Sequence, residues 1–348
     1  MKLSLQNITY LLLSLSIVIV GLIVAKSVLV PLVFALIFTL ALTPICNKLE
    51  SWGFNTVLAI ITTFISVTAI IGIVVTLFSV TFVDIYKELP EIQDKIDAGL
   101  VKIENSVNDI TGLSDETLED RIEENKSKIL SPLWKFVEGS ISSSLAVIGN
   151  SLLCLLYTFL LLYYRKGVLK ILLNKLSASQ KKDRTELLDQ IQSVINSYFL
   201  GLVIVMLILG TINSLGLWII GIDYPFFWGF LAGVLVVIPY IGTTLGGVLP
   251  FLYALATTDT MWQPIAIVIM YFTVQQIEGN FITPNIVGSK VQVNALTIIV
   301  GMIIGGMIWG IAGLILALPL IAILRTVFVR YEATEKLGLL MSEKVSEK

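Results

Sequence analysis

Eight long intervals without a single charged residue constrain this sequence more than any motif does. They run from Leu3 to Ala25, Ser27 to Asn47, Ser51 to Val83, Gly139 to Tyr164, Gln190 to Ile222, Tyr224 to Thr258, Thr260 to Ile277 and Val291 to Leu324. A charged side chain at the centre of a bilayer costs at least about 2.5–3.5 kcal/mol, so charges collect at span ends and punctuate a membrane sequence. Each interval meets or approaches the roughly 20 apolar residues that a spanning helix needs. The pattern predicts an all-α integral membrane protein with about eight transmembrane segments. The first interval is longer than the apolar stretch of a secretory leader, about 7–15 residues, and is read as a retained span.

The C-terminal half departs from simple spans. Val291 to Leu324, drawn as one straight helix, would reach about 51 Å against a hydrocarbon core of about 30 Å, so it must tilt, bend or double back. Gly305, Gly306, Gly310 and Gly313 lie within it, where glycine permits a break and close helix contact. Tyr224 to Thr258 is also overlong and carries Pro239 and Gly242 near its middle. Broken or re-entrant helices are expected at both places.

Charge punctuation gives a provisional division of the chain. Residues 1–83 hold three spans, 84–138 an acidic extramembrane segment and 139–164 a fourth span. A basic cytoplasmic connector follows over 165–194, then a C-terminal core of four segments over 195–330 and a cytoplasmic tail over 331–348. In the acidic segment, Ile85, Leu89, Ile92, Ile96, Leu100, Ile103, Val107 and Ile110 recur at gaps of three and four. That is the stripe of an amphipathic helix, packed either on the protein's own surface or against another subunit. Seven basic residues between Arg165 and Asp189 place that connector in the cytoplasm by the positive-inside rule, and eight crossings then put both termini there too.

Composition removes several chemistries. Histidine is absent, so proton chemistry falls to carboxylates, and two distant cysteines, Cys46 and Cys154, offer neither a disulfide nor a metal motif. Only 14% of residues are charged, against about 25% in a soluble domain, and 23 basic against 25 acidic residues leave no surplus to attract nucleic acid. No phosphate loop, nucleophile–base pair or metal-spaced carboxylate set occurs, which argues against an enzyme or an ATP-driven pump and implies no cofactor.

One polar cluster interrupts the apolar intervals. Gln275-Gln276-Ile277-Glu278-Gly279-Asn280-Phe281-Ile282-Thr283-Pro284-Asn285 follows only a short helical stretch after Asp259. Pro284 lacks a backbone donor and disfavours helix at Thr283. Irregular backbone at membrane depth persists only inside protein or along a polar cavity, and transporters use such breaks to aim groups at solutes. Glu278 is the leading site candidate, with Gln275, Asn280, Thr283 and Asn285 as hydrogen-bonding partners; Gly279 and Pro284 join Pro239, Gly242, Gly305, Gly306 and Gly310 as candidate hinges. The alternative is an ordinary span end at the water interface. Asn213 and Ser214, inside the fifth interval, fit helix–helix hydrogen bonding or solute contact.

Three segments in order carry a family resemblance. They are Pro239-Tyr240-Ile241-Gly242 after Leu231-Ala232-Gly233-Val234, then Glu278 through Gly288, then Ile304 through Gly313 with Leu316-Ala317-Leu318-Pro319-Leu320. Their order and spacing resemble the autoinducer-2 exporter (AI-2E) family of membrane transporters. The chain departs from that pattern at Thr243, where a proline is expected, and at Asn294-Ala295 in place of His-Pro. The resemblance implies a gradient-driven secondary transporter in a bacterial cytoplasmic membrane. It would export a small polar solute such as autoinducer-2, or exchange sodium or lithium against protons, and it would assemble as a homo-oligomer, a pentamer. A non-transporting membrane scaffold is the reading from another class.

Overall fold

The computed structural model describes residues 5–111, 144–174, 176–288 and 292–343. Among these the chain is almost wholly helical. In order come α1 (Leu5–Val24), α2 (Lys26–Ser51), α3 (Thr56–Thr111), α4 (Ser144–Asn174), α5 (Ala178–Ile220), α6 (Pro225–Leu235), α7 (Ile241–Thr257) and α8 (Trp262–Ile277). Two π-helical segments, Glu278–Ile282 and Pro284–Gly288, precede α9 (Ala295–Trp309), α10 (Ile311–Arg330) and α11 (Glu335–Met341).

Among the described residues, six helical segments are long and apolar enough to cross a bilayer: Lys26–Ser51, Thr56–Ile85, Gly149–Ile171, Ala178–Ile220, Trp262–Gly288 and Ile311–Arg330. Apolar side chains cover their outsides, with Ile219 77% exposed. Such a surface is tolerable in lipid and not in water. The chain is an all-α multi-pass membrane protein.

Both overlong intervals fold back. α6 and α7, of 11 and 17 residues, span about 16 Å and 25 Å, each short of the roughly 30 Å hydrocarbon core. They are joined through Pro239 and Tyr240, whose backbone turns with φ 62° and ψ −50°. α9 and α10 reverse at Gly310, where φ 62° and ψ −137° fall in a region that only glycine enters without strain. The amphipathic stripe beyond Ile85 continues α3 as helix to Thr111, while residues 112–138 of the acidic segment lie outside the described residues.

The described contacts form two compact units. One comprises the described residues within 1–67, 149–202 and 284–348. Its core packs Ile37, Ile195 and Leu316 from α2, α5 and α10, with a second cluster of Cys46, Ile60 and Leu162. Glu50 at the end of α2 binds Arg165 and Lys166 of α4, and Arg330 of α10 binds Asp183 and Glu186 of α5. The Trp309 indole donates to the Leu22 carbonyl at 3.0 Å, tying α9 to α1.

The other unit comprises the described residues within 68–148 and 203–283. Leu217, Phe227, Trp228, Tyr253 and Ile267 form its core. Small residues set its helix spacings: Gly246 of α7 lies against Ala232 of α6, and Gly233 of α6 against the Met206 carbonyl of α5. Without a hydrophobic force between helices in lipid, such close approach supplies the packing energy.

Candidate functional site

Tyr271, Gln275 and Glu278 stand at intervals of four and three along the end of α8, so they share one helical face. The chain does not leave the helix there, contrary to the ending that the short stretch after Asp259 predicts, but changes helix type after Ile277. It widens, and the Thr283 amide donates to the Glu278 carbonyl five residues back. Pro284 explains the change, because its ring would clash with the carbonyl four residues earlier and it brings no donor to an α-helical bond. Widened turns of this kind recur at functional positions and re-aim side chains.

Glu278 is 9% exposed and, among the described residues, the only buried acidic or basic side chain. Its Oε2 accepts from Gln275 Nε2 at 2.8 Å and its Oε1 from Thr283 Oγ1 at 2.5 Å. No lysine or arginine among the described residues reaches it within ion-pairing distance. A carboxylate removed from water with only neutral partners has no opposite charge to pair with when ionised.

The other sequence candidates divide. Asn280 is exposed and donates to the Gln276 carbonyl at 2.8 Å, so it binds its own helix and not Glu278. Asn285 is exposed in the second π-helical segment, which Pro284 opens. A Cβ at Gly279 would meet open space, whereas at Gly242 it would collide with the Leu235 carbonyl across the α6–α7 turn. Gly305 and Gly306 lie against Gly313 and Leu314 within the α9–α10 hairpin. Among the described residues no three His, Cys, Asp or Glu side chains gather as a metal site.

A small cavity adjoins the cluster, lined by Leu209, Asn213, Ala232, Val236, Thr243, Tyr271, Val274 and Gln275. Asn213 Oδ1 and the Tyr271 phenol oxygen are buried without a hydrogen-bond partner among the described residues. Ser214 Oγ is likewise unpartnered, pressed against Gly229 of α6. Tyr271 was not among the sequence candidates, because one tyrosine in an apolar run reads as packing. Its shared face with Gln275 and Glu278 is the signal that finds it.

The wider likeness of the chain agrees with this architecture. YrrI of Bacillus subtilis strain 168, provisionally named a transport protein, is 26% identical over 88% of this chain and 88% of its own length. YhhT of Escherichia coli K12, which bears the same designation, is 22% identical over 94% of this chain and 92% of its own. The AI-2 transport protein TqsA of Escherichia coli K12 is 21% identical over 94% and 93%. Residues 12–333, nearly the whole helical assembly and both folded-back hairpins, match the description AI-2E family transporter, and the chain belongs to that family.

Proposed function

We propose that this protein is a gradient-driven exporter of a small polar solute, an autoinducer-2-like signal, and that Glu278 is the carboxylate through which solute movement is coupled to protons. The observation that carries the reading is the burial of Glu278 among neutral donors alone, Gln275 and Thr283. Ionised, it holds a charge that no neighbour neutralises; protonated, it is a neutral donor. A site that changes charge without changing partners suits alternating access. The solute class is supported by the kinship with TqsA, which is named for AI-2 transport.

In this reading the chain lies in the cytoplasmic membrane of a bacterium, with the basic Arg165–Asp189 connector and both termini inside. The test is autoinducer-2 uptake into everted vesicles under an imposed proton gradient. Glu278→Gln should abolish the gradient-driven component while leaving the protein folded. Unchanged flux that still follows pH would remove Glu278 from the mechanism.

One observation favours a second reading, sodium or lithium exchange against protons. Glu278 and Thr283 bring carboxylate and hydroxyl oxygens to one place, hard ligands that suit a monovalent cation. Sodium-dependent proton movement in vesicles without added solute, lost in Glu278→Gln, would select this reading over export.

A further inference from the structure

The cavity beside Gln275 is too small for a solute and large enough for one of its groups. Its volume is about 20 Å³. A water-sized group needs at least about 10–15 Å³ by the same measure, so one fits and a sugar-like ring does not. Its walls come from α5 (Leu209, Asn213), from the α6–α7 hairpin and from α8 (Tyr271, Gln275).

Two polar atoms make this more than a packing gap. Asn213 is 4% exposed, and its Oδ1 has no partner among the described residues. The Tyr271 phenol oxygen is in the same position. Leaving such an atom buried and unsatisfied costs about 1–3 kcal/mol each, an expense that native structures seldom carry without use. Thr243 does not relieve them, because its hydroxyl donates to the Tyr240 carbonyl at 3.0 Å. The Tyr271 ring is held in place by Gly247, where a Cβ would lie 3.3 Å from the ring.

We infer that the cavity is a hydroxyl subsite: one hydroxyl-sized group enters it, hydrogen-bonds the Asn213 amide and accepts the Tyr271 phenol proton. A hydroxyl is both donor and acceptor, so it satisfies either orientation of the amide. An apolar methyl of the same size would leave both atoms unpaired, so a solute that fills the subsite is selected for its hydroxyl over a deoxygenated analogue. Gln275 lines the cavity and also donates to Glu278, so the hydroxyl group and the carboxylate share one side chain between them. The hydroxyl comes from a resident water or from the transported solute, and only the second source rests on the export reading above.

Radiolytic hydroxyl-radical footprinting of the full chain in lipid nanodiscs tests this, because activated water modifies a side chain it touches however deeply that side chain is buried. Tyr271 should be modified strongly in the wild-type protein, and about fivefold less in Asn213→Leu, which loses one of the two hydrogen bonds holding the group. Added autoinducer-2 assigns the source: protection of Tyr271 identifies a solute hydroxyl, and unchanged modification identifies a resident water. Wild-type Tyr271 as fully protected as the apolar core residue Phe227 overturns the subsite. That result does not depend on Asn213→Leu folding, nor on whether Glu278→Gln alters flux, so failure here is distinct from failure of the export reading.

Discussion

Gly305 and Gly313 face each other across the α9–α10 hairpin, and a Cβ on Gly305 would lie 2.6 Å from the Gly313 carbonyl oxygen. A Cβ on Gly313 collides with the Gly305 carbonyl in turn. The obstacle is backbone on both sides, so no side-chain rotation relieves it. The two helices approach this closely because both positions lack a side chain.

Gly313→Ala should therefore destabilise the protein by about 1–3 kcal/mol, the usual cost of forcing atoms into a packed interface. Gly72→Ala in α3 is the control, because its Cβ would meet nothing within 4 Å. There the substitution gains helix propensity and should be neutral or stabilising by up to about 1 kcal/mol. Thermal unfolding in detergent separates them; equal midpoints would show that the hairpin does not depend on glycine contact.

Gly310 separates backbone strain from crowding. Nothing lies within 4 Å of the position its Cβ would take, yet its φ is 62° with ψ −137°. Gly310→Ala should cost about 1–3 kcal/mol from conformation alone. Asparagine should not rescue it, since the left-handed region that asparagine tolerates has ψ near +47°. The check is the unfolding midpoint of Gly310→Ala against Gly310→Asn, with a recovery in the second arguing that the turn relaxes into the ordinary left-handed region.

Glu50 ties α2 to α4 through two cations of unequal value. Arg165 Nη2 lies 2.9 Å from Glu50 Oε1, with both side chains about one-eighth exposed, whereas the Lys166 side chain is 64% exposed. Arg165 also donates to Asn47 Oδ1 and the Leu162 carbonyl. Arg165→Ala should cost about 1.5–3 kcal/mol, and Lys166→Ala no more than about 1 kcal/mol. High salt should shrink only the Lys166 effect, because screening acts on exposed charge. Equal costs with equal salt dependence would show both pairs to be solvent-screened.

The folded-back segments were partly legible, because an uncharged apolar run of 34 residues is too long for one straight span and has to tilt, bend or double back. Where each run turns was less legible. The strained residue of the first reversal is Tyr240, while neighbouring Gly242 serves close approach to Leu235. In the second, Gly310 makes the turn and Gly305 and Gly306 make contacts. Glycine in a sequence announces one of these roles without saying which. The widened helix after Ile277 was illegible, since side-chain periodicity does not report which carbonyl an amide selects. Glu278, Gln275 and Thr283 stood out as a polar group in an apolar setting, but Asn280 looked equivalent to them and instead binds its own helix.

The two donors to Glu278 allow a test that separates function from folding. If Thr283 Oγ1 and Gln275 Nε2 matter because they hold the carboxylate, then Thr283→Val and Gln275→Leu should each slow proton-driven flux about tenfold, the value of a hydrogen bond to a charged group. In a Glu278→Gln background the same substitutions should change residual flux little, because the charge they serve is gone and the effects are coupled. Additive losses in the double variants would mean that Thr283 and Gln275 act on packing or on the solute directly. Comparing Thr283→Val with Thr283→Ser sharpens the point: valine loses the hydroxyl and keeps the methyl, whereas serine keeps the hydroxyl and should retain flux, so a serine variant as slow as valine would show that the hydroxyl alone does not sustain flux and that the packing of this side chain does.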